Sequence, residues 1–204
     1  MKKIAVIAMF TWATSLFSLQ IQAVEPVSEV RAALPEARLS GQAKMRFWGF
    51  EVYQASLWVT PGFSAAGYAQ SPFALELTYL RDFKGADIAK RSIAEMRRQA
   101  PLSSAQESAW ETQMRTLFPD VKIGDRITGV HQPGLGAVFW HNTRRLGEIK
   151  DPAFAKLFFG IWLSEQTSEP QLRRALLAQS TTQITAPGPA QVNAPTARTG
   201  SGTP

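Results

Sequence analysis

The 204-residue chain contains no cysteine. That absence excludes disulfides, thiolate nucleophiles, zinc–cysteine centres and iron–sulfur clusters together. It also leaves the fold indifferent to the redox state of its compartment. Histidine is nearly as scarce. His131 and His141 are the whole supply, and two imidazoles that approach across a hairpin without a carboxylate make a poor metal site; each reads as a surface histidine. Beyond the N-terminus no apolar run approaches the ~20 residues of a membrane span, which excludes a multi-span protein. There is no P-loop. Gly134-Leu135-Gly136 follows a proline and lacks the third glycine of a dinucleotide fingerprint, so it is a turn. No Gly-x-Ser-x-Gly elbow occurs, and no cofactor is implied. Any catalysis has to run on Arg, Lys, Tyr, Asp, Glu, Ser or Thr.

What is present starts with two ends that are not fold. Lys2 and Lys3 precede an apolar stretch from Ile4 to Leu19, and Ile21-Gln22-Ala23 supplies acceptable residues at −3 and −1. This is a secretory signal over residues 1–23, cleaved after Ala23, which places the mature chain in the periplasm or outside the cell with no integral span left. Residues 180–204 are mostly Thr, Ser, Ala, Gly and Pro without an aromatic, too little apolar surface to offset ordering entropy; they read as a disordered tail. One domain over residues 24–179 remains. Losing Lys2 and Lys3 lowers the formal charge from +6 to +4. Lys90, Arg91, Arg97 and Arg98 are the only dense basic group, Glu95 sits among them, and on a helix they read as a solvated face, so no nucleic-acid stripe is present.

Period-two alternation marks Ala37–Thr60 as one long strand or two broken at Gly49, with Val52, Gln54, Ser56 and Trp58 on one face and Tyr53, Ala55, Leu57 and Val59 on the other. Phe73–Arg81 alternates likewise. Helical spacing runs from Asp87, as N-cap, to Gln99. A second helix begins at Ser104 in a capping box with Glu107 and sends Trp110, Met114 and Leu117 to the core. Strands follow over Val121–Val130 and, as a hairpin turning near Asn142-Thr143, Gly136–Ile149. Asp151-Pro152 starts an apolar helix, and Ser168 caps a last one. Strands, helices, strands, helices in that order predict an α+β fold built on an antiparallel sheet.

Several separated stretches resemble one family. Gly41 and Arg46, spaced G-x-x-x-x-R, lead into GFEVYQASLWV; then come FALELTYLRDFKG at Phe73–Gly85, FPDVKIGDRI at Phe118–Ile127 and DPAFAKLFFGIWLSEQTSEPQLRRALL at Asp151–Leu177. Together they resemble the exported bacterial branch of the chalcone isomerase-like superfamily. The resemblance implies an open-faced β-sandwich: a large antiparallel sheet, helices layered on one face, and a ligand cleft between them. Plant enzymes of this family add a phenolate oxygen to an enone using an arginine, a tyrosine and threonines, and related plastid members hold a fatty-acid carboxylate with arginine and tyrosine. Carried over, Arg46 matches the arginine, Ile88 stands at the tyrosine position, Ala55 and Ser56 at one threonine, and Thr167 at another.

One arginine beside an apolar cleft can hold a carboxylate through a charge-assisted contact. The candidate ligand-binding residues are Arg46, Tyr53, Tyr79, Arg81, Trp48, Trp58 and Thr167, with Phe47 as a further lining residue. The expected partner is a small amphipathic or acidic ligand, and the leading reading is a binding protein without catalysis. An isomerase or lyase acting on an enone or phenol, and a structural module whose cleft is filled by its own side chains, are the alternatives.

Overall fold

The computed structural model describes residues 24–178; the expected signal and the expected tail lie outside the described residues. The elements are α1 (Ser28–Ala33), β1 (Arg38–Phe47), β2 (Phe50–Val59), a single 3-10 turn (Tyr68–Gln70), β3 (Phe73–Tyr79), α2 (Gly85–Arg97), α3 (Ser104–Leu117), β4 (Arg126–Gln132), β5 (Gly136–His141), β6 (Arg144–Ile149), α4 (Pro152–Leu163) and α5 (Pro170–Leu176). All six strands form one antiparallel sheet in chain order. α2 and α3 are inserted between the third strand and the fourth.

Alternation decides which side chains meet the helices. Ala55 and Leu57 of β2, Leu75, Leu77 and Tyr79 of β3, and Phe139 of β5 join Met96 of α2, Met114 of α3, Phe154, Phe158 and Phe159 of α4, and Leu176 of α5 in the main core. Trp58, Ala74 and Val130 take the opposite face, as the alternation predicts. That face is not bare. Val30 of α1, with Leu34 and Ala37, packs on them: four helices are layered on one face as expected, and a short fifth covers part of the other. α1 was invisible in the sequence because six residues carry too little periodicity. Its place is held by the buried Glu29, whose carboxylate accepts two hydrogen bonds from Arg126 (3.0 and 2.8 Å) and one from Thr128 (3.1 Å).

Several boundaries differ from the sequence reading, at α2 and α5 because the partner lies far along the chain. α2 begins at Gly85, not after Asp87, because the Asp120 carboxylate accepts the Gly85 N–H (3.0 Å) and Lys84 holds the same carboxylate (2.7 Å). The box on α3 is Ser103 with Gln106, one residue earlier than expected; Glu107 instead pairs with Arg97. Val121 makes only an isolated bridge to Phe83. Glu169, not Ser168, occupies the cap position of α5, since the Ser168 hydroxyl donates to Glu95 (2.9 Å). Asp151 behaves as expected, its carboxylate accepting the Ala153 and Phe154 N–H groups and also Trp110 Nε1 (2.9 Å).

The glycine of the Gly41–Arg46 motif has a packing role. A Cβ at Gly41 would stand 2.0 Å from the Ala175 carbonyl oxygen. The α5 backbone thus lies directly on β1, beside the irregularity at Ser40, whose hydroxyl donates to the Leu176 carbonyl (2.9 Å).

Candidate functional site

Tyr53 and Tyr79 face each other across β2 and β3 on the helix side of the sheet, their rings edge to face at 6.2 Å. The Tyr53 oxygen accepts from Trp162 Nε1 of α4 at 3.0 Å. Tyr79 touches the Phe83 ring at 5.8 Å, and its hydroxyl has no hydrogen-bond partner among the described residues. Burial pushes both phenols far above their usual range. They stay neutral at any physiological pH and act as hydrogen-bond groups rather than phenolates. Arg91 of α2 acts electrostatically on Tyr53, with Glu95 and Glu169 opposing it. Arg91 is ion-paired to Glu95 at 2.6 Å.

Met45 stands opposite Tyr53 on β1, and Ala43, Met45, Ile88 and Ile161 are only partly buried against the core. Elsewhere the space between sheet and helices is occupied. Phe154, Phe158 and Trp162 recur every four residues along α4, so they form one row pointing at the sheet. Phe158 meets Phe139 at 5.2 Å and Trp162 at 5.7 Å. Two shallow concavities among the described residues lie elsewhere, with more polar than apolar lining. One, about 450 Å³, is on the surface of α3 around Glu111 and Arg115; the other, about 290 Å³, is beside Pro35 and Pro61. The cleft expected between sheet and helices is therefore packed with the protein's own side chains in this conformation.

The expected site residues are not gathered in one place. Tyr53 and Tyr79 meet. Trp58 lies on the opposite face of the sheet, where its indole N–H donates to Glu76 (3.3 Å), and cannot share their cleft. Arg46 and Trp48 stand at the β1–β2 hairpin tip, Arg46 exposed and bound to Glu51 at 2.7 Å, a carboxylate that Lys44 also holds. Arg81 is exposed over the Phe50 ring at 4.8 Å. Thr167 is engaged in its own loop, donating to the Ile161 carbonyl (2.6 Å) and accepting from the Glu169 N–H (3.1 Å). Of the two residues at the expected strand threonine, Ala55 is core and Ser56 accepts a hydrogen bond from Gln42 (2.9 Å).

Arg91, exposed as the solvated-face reading expects, is the cation that acts on Tyr53. Its spacing three residues after Ile88 was the available signal, since positions three apart share a helix face. The histidines also differ from expectation. His131 is buried, stacked on Phe73 at 4.8 Å and donating through Nδ1 to the Ser71 carbonyl (2.9 Å). His141 lies 3.4 Å from Asp125, and the register keeps the two histidines four positions apart. Among the described residues no cluster could hold a metal ion.

The chalcone isomerase-like family model matches residues 18–178 of the sequence. The chain belongs to the chalcone isomerase-like family. Its fold is similar to that of a fatty-acid binding protein of Arabidopsis thaliana known from a crystal structure. The TM-score is 0.58 at 11% identity, covering 72% of this chain and 89% of that one. At that identity the likeness shows the family fold and nothing finer. No curated protein sequence matches this one.

Proposed function

We propose that this family member is an exported, non-catalytic binder of a small amphipathic acid of the fatty-acid type, working in the periplasm or outside the cell. The observation that carries the reading is the Tyr53–Tyr79 pair: two neutral phenols edge to face, Tyr79 buried and Tyr53 half-buried, the Tyr79 hydroxyl without a hydrogen-bond partner among the described residues, and half-buried Met45 opposite Tyr53 on β1. That hydroxyl is free to donate to a ligand oxygen. Arg91 supplies the charge at that spot, and Arg46 stands nearer the hairpin tip. The acyl chain displaces flexible Met45, which re-packs at little cost. The Lys2-Lys3 and Ala23 pattern supports export, checked by finding Val24 as the mature N-terminus. The fatty-acid binding protein of the same fold is consistent with the ligand class.

The test is native mass spectrometry of protein purified from cells, beside Tyr79→Phe, Arg46→Ala and Arg91→Ala variants, followed by fatty-acid titration read through tryptophan fluorescence. A co-purified acid is expected. Tyr79→Phe is expected to weaken binding about tenfold, and loss of the charge-assisted partner by 10-fold or more on the order of 1.5–3 kcal/mol. If the protein is empty and takes up no fatty acid, the second reading stands: a module whose cleft is filled by the Phe154–Phe158–Trp162 row, for which the packed interior already speaks.

A further inference from the structure

The β1–β2 turn breaks an ordinary sequence rule. Its two central residues, Trp48 and Gly49, both have positive φ, 51° and 80°, the pattern of the tight hairpin turn that asparagine and glycine favour. A bulky side chain there is strained. The β5–β6 hairpin shows the ordinary solution: Asn142, φ 53°, uses its amide to accept from the Arg126 N–H (2.9 Å) and to donate to Asp125 (3.1 Å). Trp48 secures nothing comparable. It is 86% exposed, and its one ring contact is with Phe47 at 6.0 Å. Phe47 (52% exposed) and Phe50 (61%) flank it, so three aromatic rings stand in solvent on one tip. Ile123, 70% exposed, lies at the same end of the sheet, in the turn whose Gly124 N–H donates to the Tyr79 carbonyl.

Around this end of the sheet Lys44, Arg46, Arg81, Arg91, Arg98 and Lys122 outnumber Glu51, Asp82 and Glu95, Asp82 accepting from the Ile123 N–H (3.0 Å) and pairing with Lys122. Arg81 lies over the Phe50 ring at 4.8 Å and Arg91 over the Phe47 ring at 5.9 Å. Lys44 and Arg46 share the single carboxylate of Glu51, and Glu95 is shared between Arg91 and Arg98. Exposed aromatics ringed by arginine and lysine suit one environment above others: the interface of a membrane carrying negative headgroups, where rings sit among the acyl–headgroup boundary and cations meet phosphate.

We propose that the Phe47–Phe50 hairpin tip docks this protein on an anionic phospholipid surface. Trp48 and Phe50 insert, Arg81 and Arg91 pair with headgroup phosphates, and Ile123 makes a second point of contact that fixes the tilt. This goes beyond the ligand-binding reading and does not rest on it.

The protein expressed from the full 204-residue chain, purified as the cell delivers it, is sedimented with vesicles of phosphatidylcholine and with vesicles of equal parts phosphatidylcholine and phosphatidylglycerol. Trp48→Asn is the informative variant, because it relieves the turn while removing the inserted ring. It is expected to raise or preserve the thermal midpoint yet weaken binding to anionic vesicles about tenfold. The Phe47→Ser/Phe50→Ser variant follows the same direction, and Arg81→Glu erases part of the preference for anionic over neutral vesicles. Equal binding by parent and Trp48→Asn, or no preference of the parent for anionic vesicles, overturns the proposal. So does a dimer of the parent, seen by sedimentation, that Trp48→Asn dissociates, which would make the tip a contact between two copies of the chain.

Discussion

Glu76 shows how a single residue is judged by its surroundings. It sits on the face of the sheet that α1 covers, with Trp58 Nε1 donating to it and Glu29 close enough to repel it. Burial is the main reason its carboxyl lies above the usual value, with Arg126 and Trp58 only partly opposing. A raised folded-state value means the folded protein holds this proton more firmly than the unfolded chain. Its contribution is therefore most favourable below the ordinary value of 4.5 and is lost as pH rises through the folded value. Glu76→Gln is expected to raise the thermal midpoint at neutral pH, by an effect on the order of 1 kcal/mol, and to flatten the pH dependence just above that value. Calorimetry across pH checks this. Glu29, on the same face, behaves oppositely: burial pushes it up, but its own backbone N–H and Arg126 outweigh that and hold it low. Glu29→Ala leaves the half-buried Arg126 without its carboxylate and is expected to cost roughly 3 kcal/mol, read by denaturant unfolding.

At the scale of elements, α4 carries the interior. Asp151 caps its first turn twice and anchors the α3 indole of Trp110, so one carboxylate ties helix start to helix neighbour. Asp151→Ala removes the cap and leaves a buried indole N–H unpaired. A loss of about 2 kcal/mol is expected, with urea midpoints in Asp151→Ala and Asp151→Asn separating capping from charge. This start was legible from Asp151-Pro152, because cap and proline are adjacent in the chain. The starts of α2 and α5 were not. The carboxylate that closes α2 comes from Asp120, and the hydroxyl of Ser168 is drawn away to Glu95. Local chemistry predicts a boundary only when both partners are local.

At the scale of the whole molecule, sheet and helices enclose a row of packed aromatic rings, so ligand uptake between them requires side chains to move. Binding of a fatty acid to the folded state alone would stabilise the fold by mass action, about 2.7 kcal/mol at a hundredfold excess over Kd. For a domain of this size that is a rise of several degrees in the thermal midpoint, at ~2–4 °C per kcal/mol. A thermal shift with fatty acid that vanishes in Tyr79→Phe supports the proposed site. A shift that persists there places the ligand elsewhere.

The sequence alone determined the α+β order, the antiparallel sheet, and which side chains share a strand face, including the separation of Trp58 from Tyr53. Period two and period 3.6 are properties of neighbours along the chain, and the family motifs are likewise contiguous stretches. Tertiary structure decided that α1 covers the second face, that Arg91 rather than Arg46 acts on Tyr53, and that the expected cleft is filled. Each of those depends on side chains brought together from distant parts of the chain: Glu29 with Arg126, Arg91 with Tyr53, Trp162 with Tyr53. No local pattern encodes such meetings, because they exist only once the helices have packed on the sheet.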